Sequence, residues 1–245
     1  MKIWAIVQAR MGSSRLPGKV LRELAGRTVL AHLLARLARS RELDGVIVAT
    51  TTAPSDDAIV AECARLGVRS FRGCEQDVLA RYHGAAVACD AAVIVRVTAD
   101  CPLFDPSVLD AMLASFRAAT LAGDRIDYMS NVEVRRFPRG LDAEIFTFAA
   151  LDSAHREARL DYEREHVTPF VHLQPERFRI ASHVAPEDWS AHRWTLDTPE
   201  DWELMAAIFG ALGPDCTTEE VLNLLKARPE LATLNAHVEQ KKLGE

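Results

Sequence analysis

No apolar run in this 245-residue chain approaches the ~20 residues that a helix needs to cross a bilayer. The first residues run directly into an apolar, strand-like segment without the layout of a signal peptide, so a cytoplasmic location is expected. No C-x-x-C pair occurs among the five cysteines, which points to free, reduced thiols and away from disulfides or a zinc site. The eight histidines show no H-E-x-x-H spacing, and no G-x-S-x-G elbow or G-x-G-x-x-G turn is present. Metalloprotease, acyl-hydrolase and dinucleotide-binding chemistries therefore lack their usual carriers. The net charge of −6 argues against a general nucleic-acid binder. That charge is uneven, however: residues 1–42 hold nine lysines and arginines against two glutamates. A cationic N-terminal segment in an acidic chain suits a small anionic ligand better than DNA.

The segments that are present alternate strand and helix. Ile3–Val7, Val46–Thr50, Val68–Phe71 and Ala92–Val97 are short, β-branched apolar runs of the kind that form buried strands. Between them, Thr28 can cap a helix whose Leu30, Leu33, Leu34 and Leu37 share one face. Further helices are expected from Ser55, with Ile59, Val60 and Cys63 inward, from about Gln76 to Ala88, and from Pro106. This rhythm implies right-handed crossovers and a mostly parallel sheet, with ligands beyond the carboxyl ends of the strands. After about Ala122 the rhythm breaks. Ile126–Ser130, Leu141–Phe146 and Phe178–Val184 read as strands, separated by helices near Ala149–Arg159 and Tyr162–His172. A strand at His192–Leu196 and a helix pair, Pro199–Leu212 and Thr218–Ala227, complete the expectation.

The loop after the first strand, Gln8-Ala9-Arg10-Met11-Gly12-Ser13-Ser14-Arg15-Leu16-Pro17-Gly18-Lys19, combines two glycines, two hydroxyls and three cations. Backbone N–H groups in such a loop can wrap a polyphosphate while Arg10, Arg15 and Lys19 neutralise it. It is not a Walker A loop, since five residues separate Gly12 from Gly18 and Val20 replaces the magnesium-binding hydroxyl. A plain strand-to-helix connection with solvated arginines is the alternative. Asp100 and Asp197 each end an expected strand, and two such carboxylates can hold Mg²⁺. Each can equally be a helix cap, above all Asp197, which precedes Thr198-Pro199-Glu200-Asp201. Cys101, beside Asp100, reads as a small buried filler.

The Gln8–Lys19 segment resembles the N-terminal signature of the cytidylyltransferases that make CMP-activated sugar acids. These are the CMP-KDO and CMP-sialic acid synthetases, with relatives among spore-coat polysaccharide biosynthesis proteins. The similarity continues through Arg96-Val97-Thr98-Ala99-Asp100-Cys101-Pro102-Leu103, Glu165-His166-Val167-Thr168-Pro169-Phe170 and Asp197-Thr198-Pro199-Glu200-Asp201, covering nearly the whole chain. The resemblance implies an α/β fold with a Rossmann-like, mostly parallel sheet of the nucleotide-diphospho-sugar transferase (GT-A-like) type. A single nucleotidyltransferase domain over 1–245 would carry a small inserted lobe at about 126–184.

The implied reaction joins CTP to a sugar acid, giving a CMP-sugar and pyrophosphate for surface polysaccharide synthesis. Ala9, Arg10, Gly12, Ser13, Arg15, Lys19 and Arg72 would meet the nucleotide, with the base against the backbone of residues 9–12. Asp100 and Asp197 would hold Mg²⁺ and, with Arg10 and Lys19, carry catalysis. His166, Arg139 and Arg164 would meet the sugar acid, Arg135 and Arg136 being further choices for its carboxylate. Arg72, Asp77 and Arg81 also read as a surface cluster, and His166 also reads as structural. A homodimer is expected through the 126–184 region, with no nucleic-acid or membrane partner. Two departures stand out: Thr195 replaces an Asp frequent in CMP-sialic acid synthetases, and the residues after His166 differ from the CMP-KDO group. Two rivals remain, a glycosyltransferase on the same fold, disfavoured by Thr98-Ala99-Asp100 in place of Asp-x-Asp, and a non-catalytic nucleotide-binding protein.

Overall fold

Successive side chains of Ile3–Gln8 (β1) go to opposite faces and both faces are buried: Ile3, Ala5 and Val7 enter one apolar cluster and Ile6 another. The computed structural model, which describes residues 1–13 and 15–240, places β1 near the centre of a seven-stranded sheet. After the loop comes a 3₁₀ turn, Lys19–Leu21, and a small hairpin of Glu23–Leu24 (β2) and Arg27–Thr28 (β3). Then follow helix Val29–Leu37 (α1), strand Gly45–Thr51 (β4), helix Asp57–Arg65 (α2), strand Arg69–Gly73 (β5) and helix Val78–Cys89 (α3). Strand Val93–Thr98 (β6) and helix Pro106–Leu121 (α4) close the regular half.

The second half carries strands Tyr128–Ser130 (β7) and Glu144–Thr147 (β8) and helices Phe148–Glu157 (α5), Asp161–His166 (α6) and Pro169–His172 (α7). It ends with strand Ile180–Ser182 (β9) and helices Pro199–Leu212 (α8), Thr218–Ala227 (α9) and Pro229–Thr233 (α10). The sheet order is β5-β4-β1-β6-β8-β7-β9. Strands β5, β4, β1 and β6 are parallel, β8 is antiparallel to both its neighbours, and β9 is parallel to β7. This is the mostly parallel α/β sheet expected from the alternating pattern. Helices α1, α2 and α4 cover one face, α3 and α5 the other, and α8 and α9 build a third cluster with Trp194.

Caps set the helix starts. Thr28 Oγ1 accepts the Ala31 N–H at 3.0 Å, and Asp77 Oδ1 accepts the Ala80 N–H at 2.8 Å. Thr198 and Asp201 form a reciprocal capping box on α8.

Several expectations need correction. No strand forms at 192–196; a single bridge joins Arg139 and Arg193, with the Arg139 N–H donating to His192 C=O and the Trp194 N–H to Arg139 C=O. The helix expected over Tyr162–His172 splits into α6 and α7, where Val167 takes φ +74 and Pro169 supplies no N–H. A 3₁₀ turn at Pro54–Asp56 precedes α2, and Val60 is only half-buried. Residues 126–184 supply three strands to the central sheet, and α6 packs against α3.

The path that delivers Asp197 depends on a close backbone approach. The Arg139 N–H donates to His192 C=O at 3.0 Å, the Trp194 N–H to Arg139 C=O at 2.6 Å, and the Leu196 N–H to Asp100 C=O at 2.9 Å. Gly140 sits against this stretch at φ +103, and a Cβ there would lie 2.5 Å from Trp194 C and O. Gly140→Ala therefore meets a disfavoured conformation and a backbone clash together. It should lower unfolding free energy by at least about 2 kcal/mol in urea titration. A loss below about 0.5 kcal/mol, the usual range of a neutral surface change, would show that the approach is not needed.

Candidate active site

The loop after β1 is anchored from beneath. Asp56 is buried, and its carboxylate accepts the Met11 N–H at 2.8 Å, the Thr51 hydroxyl at 2.6 Å and the Thr50 hydroxyl at 3.1 Å. Burial alone would favour its neutral form, but these donors hold its pKa below the ordinary carboxylate value. Ala9 N–H extends the β1–β4 pairing to Ala49 C=O, and Ser13 Oγ accepts the Leu16 N–H at 3.3 Å. Gly18, at φ +66, returns its N–H to Met11 C=O at 3.3 Å and aims Lys19 back at the sheet edge. The anchored loop leaves a cleft of about 920 Å³ above the ends of β1 and β6.

Two carboxylates meet one ammonium on the floor of that cleft. Lys19 Nζ lies 2.6 Å from Asp100 Oδ2 and 2.7 Å from Asp197 Oδ1. Asp197 Oδ2 is taken by Arg193 at 2.7 Å and Arg15 at 3.2 Å. Arg193 in turn is locked by Asp201 at 2.9 Å, and Asn235 donates to the same Asp201 at 2.8 Å. Burial opposes ionisation of Lys19, yet Asp100 and Asp197 raise its pKa above the ordinary value. Burial likewise opposes the Asp197 charge, and Lys19, Arg15 and Arg193 overcome it to lower that pKa. The capping role foreseen for Asp197 falls to Thr198 and Asp201, and α4 is capped by Asp105. Both cleft aspartates are therefore free of helix capping.

That convergence fits a hard divalent cation. Among the described residues no group of three or more His, Cys, Asp or Glu side chains gathers as a closed metal site. Two carboxylate oxygens aimed at one point, with the cleft open above, suit Mg²⁺, which keeps several waters and phosphate oxygens as ligands.

The opposite wall comes from α6, which presents Asp161, Arg164, Glu165 and His166. Arg164 is engaged by the Asp77 carboxylate and by His155 C=O at 2.9 Å. Burial lowers the His166 pKa, so the imidazole is neutral near pH 7. Beneath this wall, Glu144 accepts from Arg96, from Tyr128 Oη at 2.7 Å and from Thr168 Oγ1 at 2.6 Å. Arg96 also donates to Gln8, so this buried network ties β1, β6, β8 and the α6–α7 junction together.

Of the residues expected at the site, Ala9, Arg10, Gly12, Ser13, Arg15, Lys19, Asp100, Asp197, Arg164 and His166 line one cleft. Arg72 and Arg139 do not. Arg72 donates to Thr51 C=O at 2.8 Å and Ala53 C=O at 3.0 Å and pairs with Asp57 at 2.6 Å, held by groups of β4 and α2. Arg139 packs in the segment facing Arg193. Sequence reasoning missed Arg193 and Asp201 as supports of Asp197, although their positions four residues to either side are a readable signal. It also set aside Arg81, which is buried and lines the cleft.

A family model described as cytidylyltransferase matches residues 4–242, so the chain belongs to that family. The spore coat polysaccharide biosynthesis protein SpsF of Bacillus subtilis is 36% identical over 93% of this chain and 95% of its own length. A 3-deoxy-manno-octulosonate cytidylyltransferase of Geobacter metallireducens is 38% identical over 121 residues, 46% of this chain and 44% of its own. A cytidylyltransferase structure from Leptospira borgpetersenii superposes with a TM-score of 0.90 at 34% identity, covering 99% of both chains.

The Lys19–Asp100–Asp197 charges generate a pH-dependent expectation. The folded pKa of Asp197 is depressed, so its contribution is present above the ordinary 3.8 and is lost as pH falls through the folded value. The folded pKa of Lys19 is raised, so its contribution is present below the ordinary 10.5 and is lost as pH rises through the folded value. Lys19→Met leaves the two carboxylates facing each other unbalanced. It should cost on the order of 3 kcal/mol at pH 7 and clearly less at pH 3, where Asp197, without the Lys19 charge that depresses its pKa, takes up a proton. Urea midpoints giving the same loss at both pH values would contradict the ion triad.

Proposed function

We propose that this chain transfers a cytidylyl group from CTP to a sugar acid, releasing pyrophosphate, with Mg²⁺ held by Asp100 and Asp197. The observation that carries the reading is the convergence of both carboxylates on the Lys19 ammonium, beneath a cationic loop that follows a parallel strand. Family membership supports CTP as donor, and the Geobacter relative supports a sugar acid as acceptor. The SpsF relative supports a place in surface polysaccharide synthesis.

In this reading a sugar hydroxyl attacks the α-phosphorus in line and loses its proton to solvent, the P–O bond to the β-phosphate breaks, and pyrophosphate leaves with the electron pair. No covalent enzyme intermediate is needed, so positioning and charge stabilisation carry the rate. Mg²⁺ at Asp100 and Asp197 would neutralise charge at the α-phosphate and acidify the attacking hydroxyl. An ammonium and a metal ion cannot share one position, so Lys19 has to leave the aspartates and pair with phosphate oxygens. Arg15 reaches the same floor, and Arg10, about half exposed at the rim and 3.6 Å from Glu75, would close on the leaving group. Arg193 and Asp201 hold Asp197 in place throughout. On the far wall His166 is neutral and offers a hydrogen bond to a sugar hydroxyl. Arg164 would face the acceptor carboxylate after exchanging its Asp77 partner.

A homodimer is part of this proposal. Val134, Leu160, Leu173 and Val184 are 51%, 52%, 57% and 39% exposed, and all four come from residues 126–184. Exposed apolar side chains in this segment support a self-complementary contact, although Met1, Val87 and Leu121 outside it are exposed as well. Among the described residues no helix is long and apolar enough to cross a membrane.

The central test is pyrophosphate release from CTP with Mg²⁺ and a panel of sugar acids. Release with at least one acid, and none with neutral hexoses, is expected. Asp100→Asn and Asp197→Asn should both fold while losing roughly a hundredfold or more in turnover, the scale of a lost electrostatic contact in the transition state. Normal turnover by either variant would remove that residue from the metal site. In sedimentation at micromolar concentration the chain should run as a dimer, and Leu173→Glu should shift it toward monomer; a monomeric wild type would refute the dimer.

A further inference from the structure

Among the described residues none after α9 lines the cleft, yet two of them close around the support of Asp197. Asn235 is 3% exposed, and its Nδ2 donates to Arg193 C=O at 2.9 Å and to Asp201 Oδ1 at 2.8 Å. One amide thereby holds both the backbone of Arg193 and the carboxylate that locks the Arg193 side chain. Gln240 comes from the same segment, and its Oε1 accepts from Arg193 Nη1 at 2.5 Å. Helix α10 anchors that segment: Leu231 is buried in the α8–α9 cluster, and Ala232 and Leu234 pack against it.

Asp201 is fully buried and Arg193 nearly so, which leaves their charges dependent on protein partners rather than on water. The Asp201 carboxylate accepts from Arg193 Nε at 2.9 Å and Nη2 at 3.2 Å, from Asn235, and from the N–H groups of Asp197 at 2.9 Å and Thr198 at 3.1 Å. Arg193 Nη2 is shared, since it also donates to Asp197 Oδ2 at 2.7 Å. Two carboxylates thus compete for one guanidinium. The donor that Asn235 gives to Asp201 weakens the pull of Asp201 on Arg193 and leaves Nη2 with Asp197. Gln240 restrains the guanidinium from its other terminal nitrogen. The result is felt in the cleft. With Oδ2 taken by Arg193 and Arg15, Asp197 keeps Oδ1 turned toward Lys19.

We propose that Asn235 and Gln240 are positioning residues for the transfer reaction, acting through Arg193 to keep Asp197 Oδ1 aimed at the metal when Lys19 moves to the phosphates. This rests on the reading of Asp197 as a metal ligand, and it extends the active site to a segment that reaches it from behind. Neither side chain meets nucleotide, acceptor or metal. Groups that orient a metal ligand from behind typically set metal affinity or activity by about ten- to a hundredfold.

The test compares full-length wild type, Asn235→Ala, Gln240→Ala and Asp197→Asn, each shown by urea titration to be folded under the assay conditions. Mn²⁺ is titrated by electron paramagnetic resonance in the presence of CTP and without acceptor, against the same titration lacking protein. Turnover is then measured at saturating metal. Asn235→Ala should weaken Mn²⁺ by about tenfold and lower kcat by a similar factor, with KM for CTP within about twofold. Gln240 is exposed, so Gln240→Ala should keep the fold and shift Mn²⁺ affinity and kcat the same way by about threefold, the scale of one hydrogen bond. A folded Asn235→Ala with wild-type Mn²⁺ affinity and kcat would overturn the proposal, as would a rise in KM for CTP that accounts for the whole loss. If Asn235→Ala does not fold, Gln240→Ala decides by the same two readings. A wild type whose Mn²⁺ affinity is unmoved by Asp197→Asn would instead defeat the metal reading on which the proposal stands.

Discussion

The ammonium of Lys19, 2.6 Å from Asp100 and 2.7 Å from Asp197, joins three parts of the chain that are far apart in sequence. Lys19 ends the loop after β1, Asp100 follows β6, and Asp197 precedes α8. Two carboxylates at this depth repel each other unless a cation stands between them, so the free protein supplies its own. The surrounding structure serves that balance. Asp56 pins the loop, the Leu196 N–H holds the Asp197 segment to Asp100, and Arg193 with Asp201 fixes the second carboxylate. In the proposed function, the same geometry prepares a divalent site that a nucleotide and its metal would take over without rebuilding the fold.

Much of this was legible in the residues themselves. Strands β1, β4 and β6 were visible as short β-branched runs because they enter apolar clusters on both faces, which leaves no polar alternation to blur them, whereas β5 at the sheet edge is only partly buried. Thr28, Pro106, Pro199 and Thr218 marked helix starts because capping and proline chemistry are local. The glycine-rich loop and Asp100 were likewise local signals at strand ends, whereas Asp197 follows an extended run that forms no ladder.

What was not legible depends on partners distant in sequence. Arg72 and Arg81 look alike in the sequence, yet Arg72 is captured by Thr51, Ala53 and Asp57, while Arg81 is drawn under the cleft by two carbonyls. Hydrophobic periodicity treats every arginine as surface, so it could not find the buried charges of Arg36, Arg81, Glu144, Arg193 and Asp201. The 192–196 run is rich in strand-forming residues, but burial of Trp194 and Leu196 against α8 and α9, with a single bridge to Arg139, replaces a ladder. Val167 shows a related limit. Pro169 is a local signal for the break after α6, but the positive φ at Val167 and the Thr168–Glu144 bond beside it are not readable from the sequence.

The central claim is that Lys19 holds a position which metal and nucleotide later claim. Anomalous diffraction from crystals grown with CTP and Mn²⁺ tests it most directly. The account predicts a manganese peak between the Asp100 and Asp197 carboxylates, with Lys19 Nζ moved onto phosphate oxygens. A bound nucleotide with Lys19 still bridging both aspartates, and the manganese held elsewhere, would contradict it.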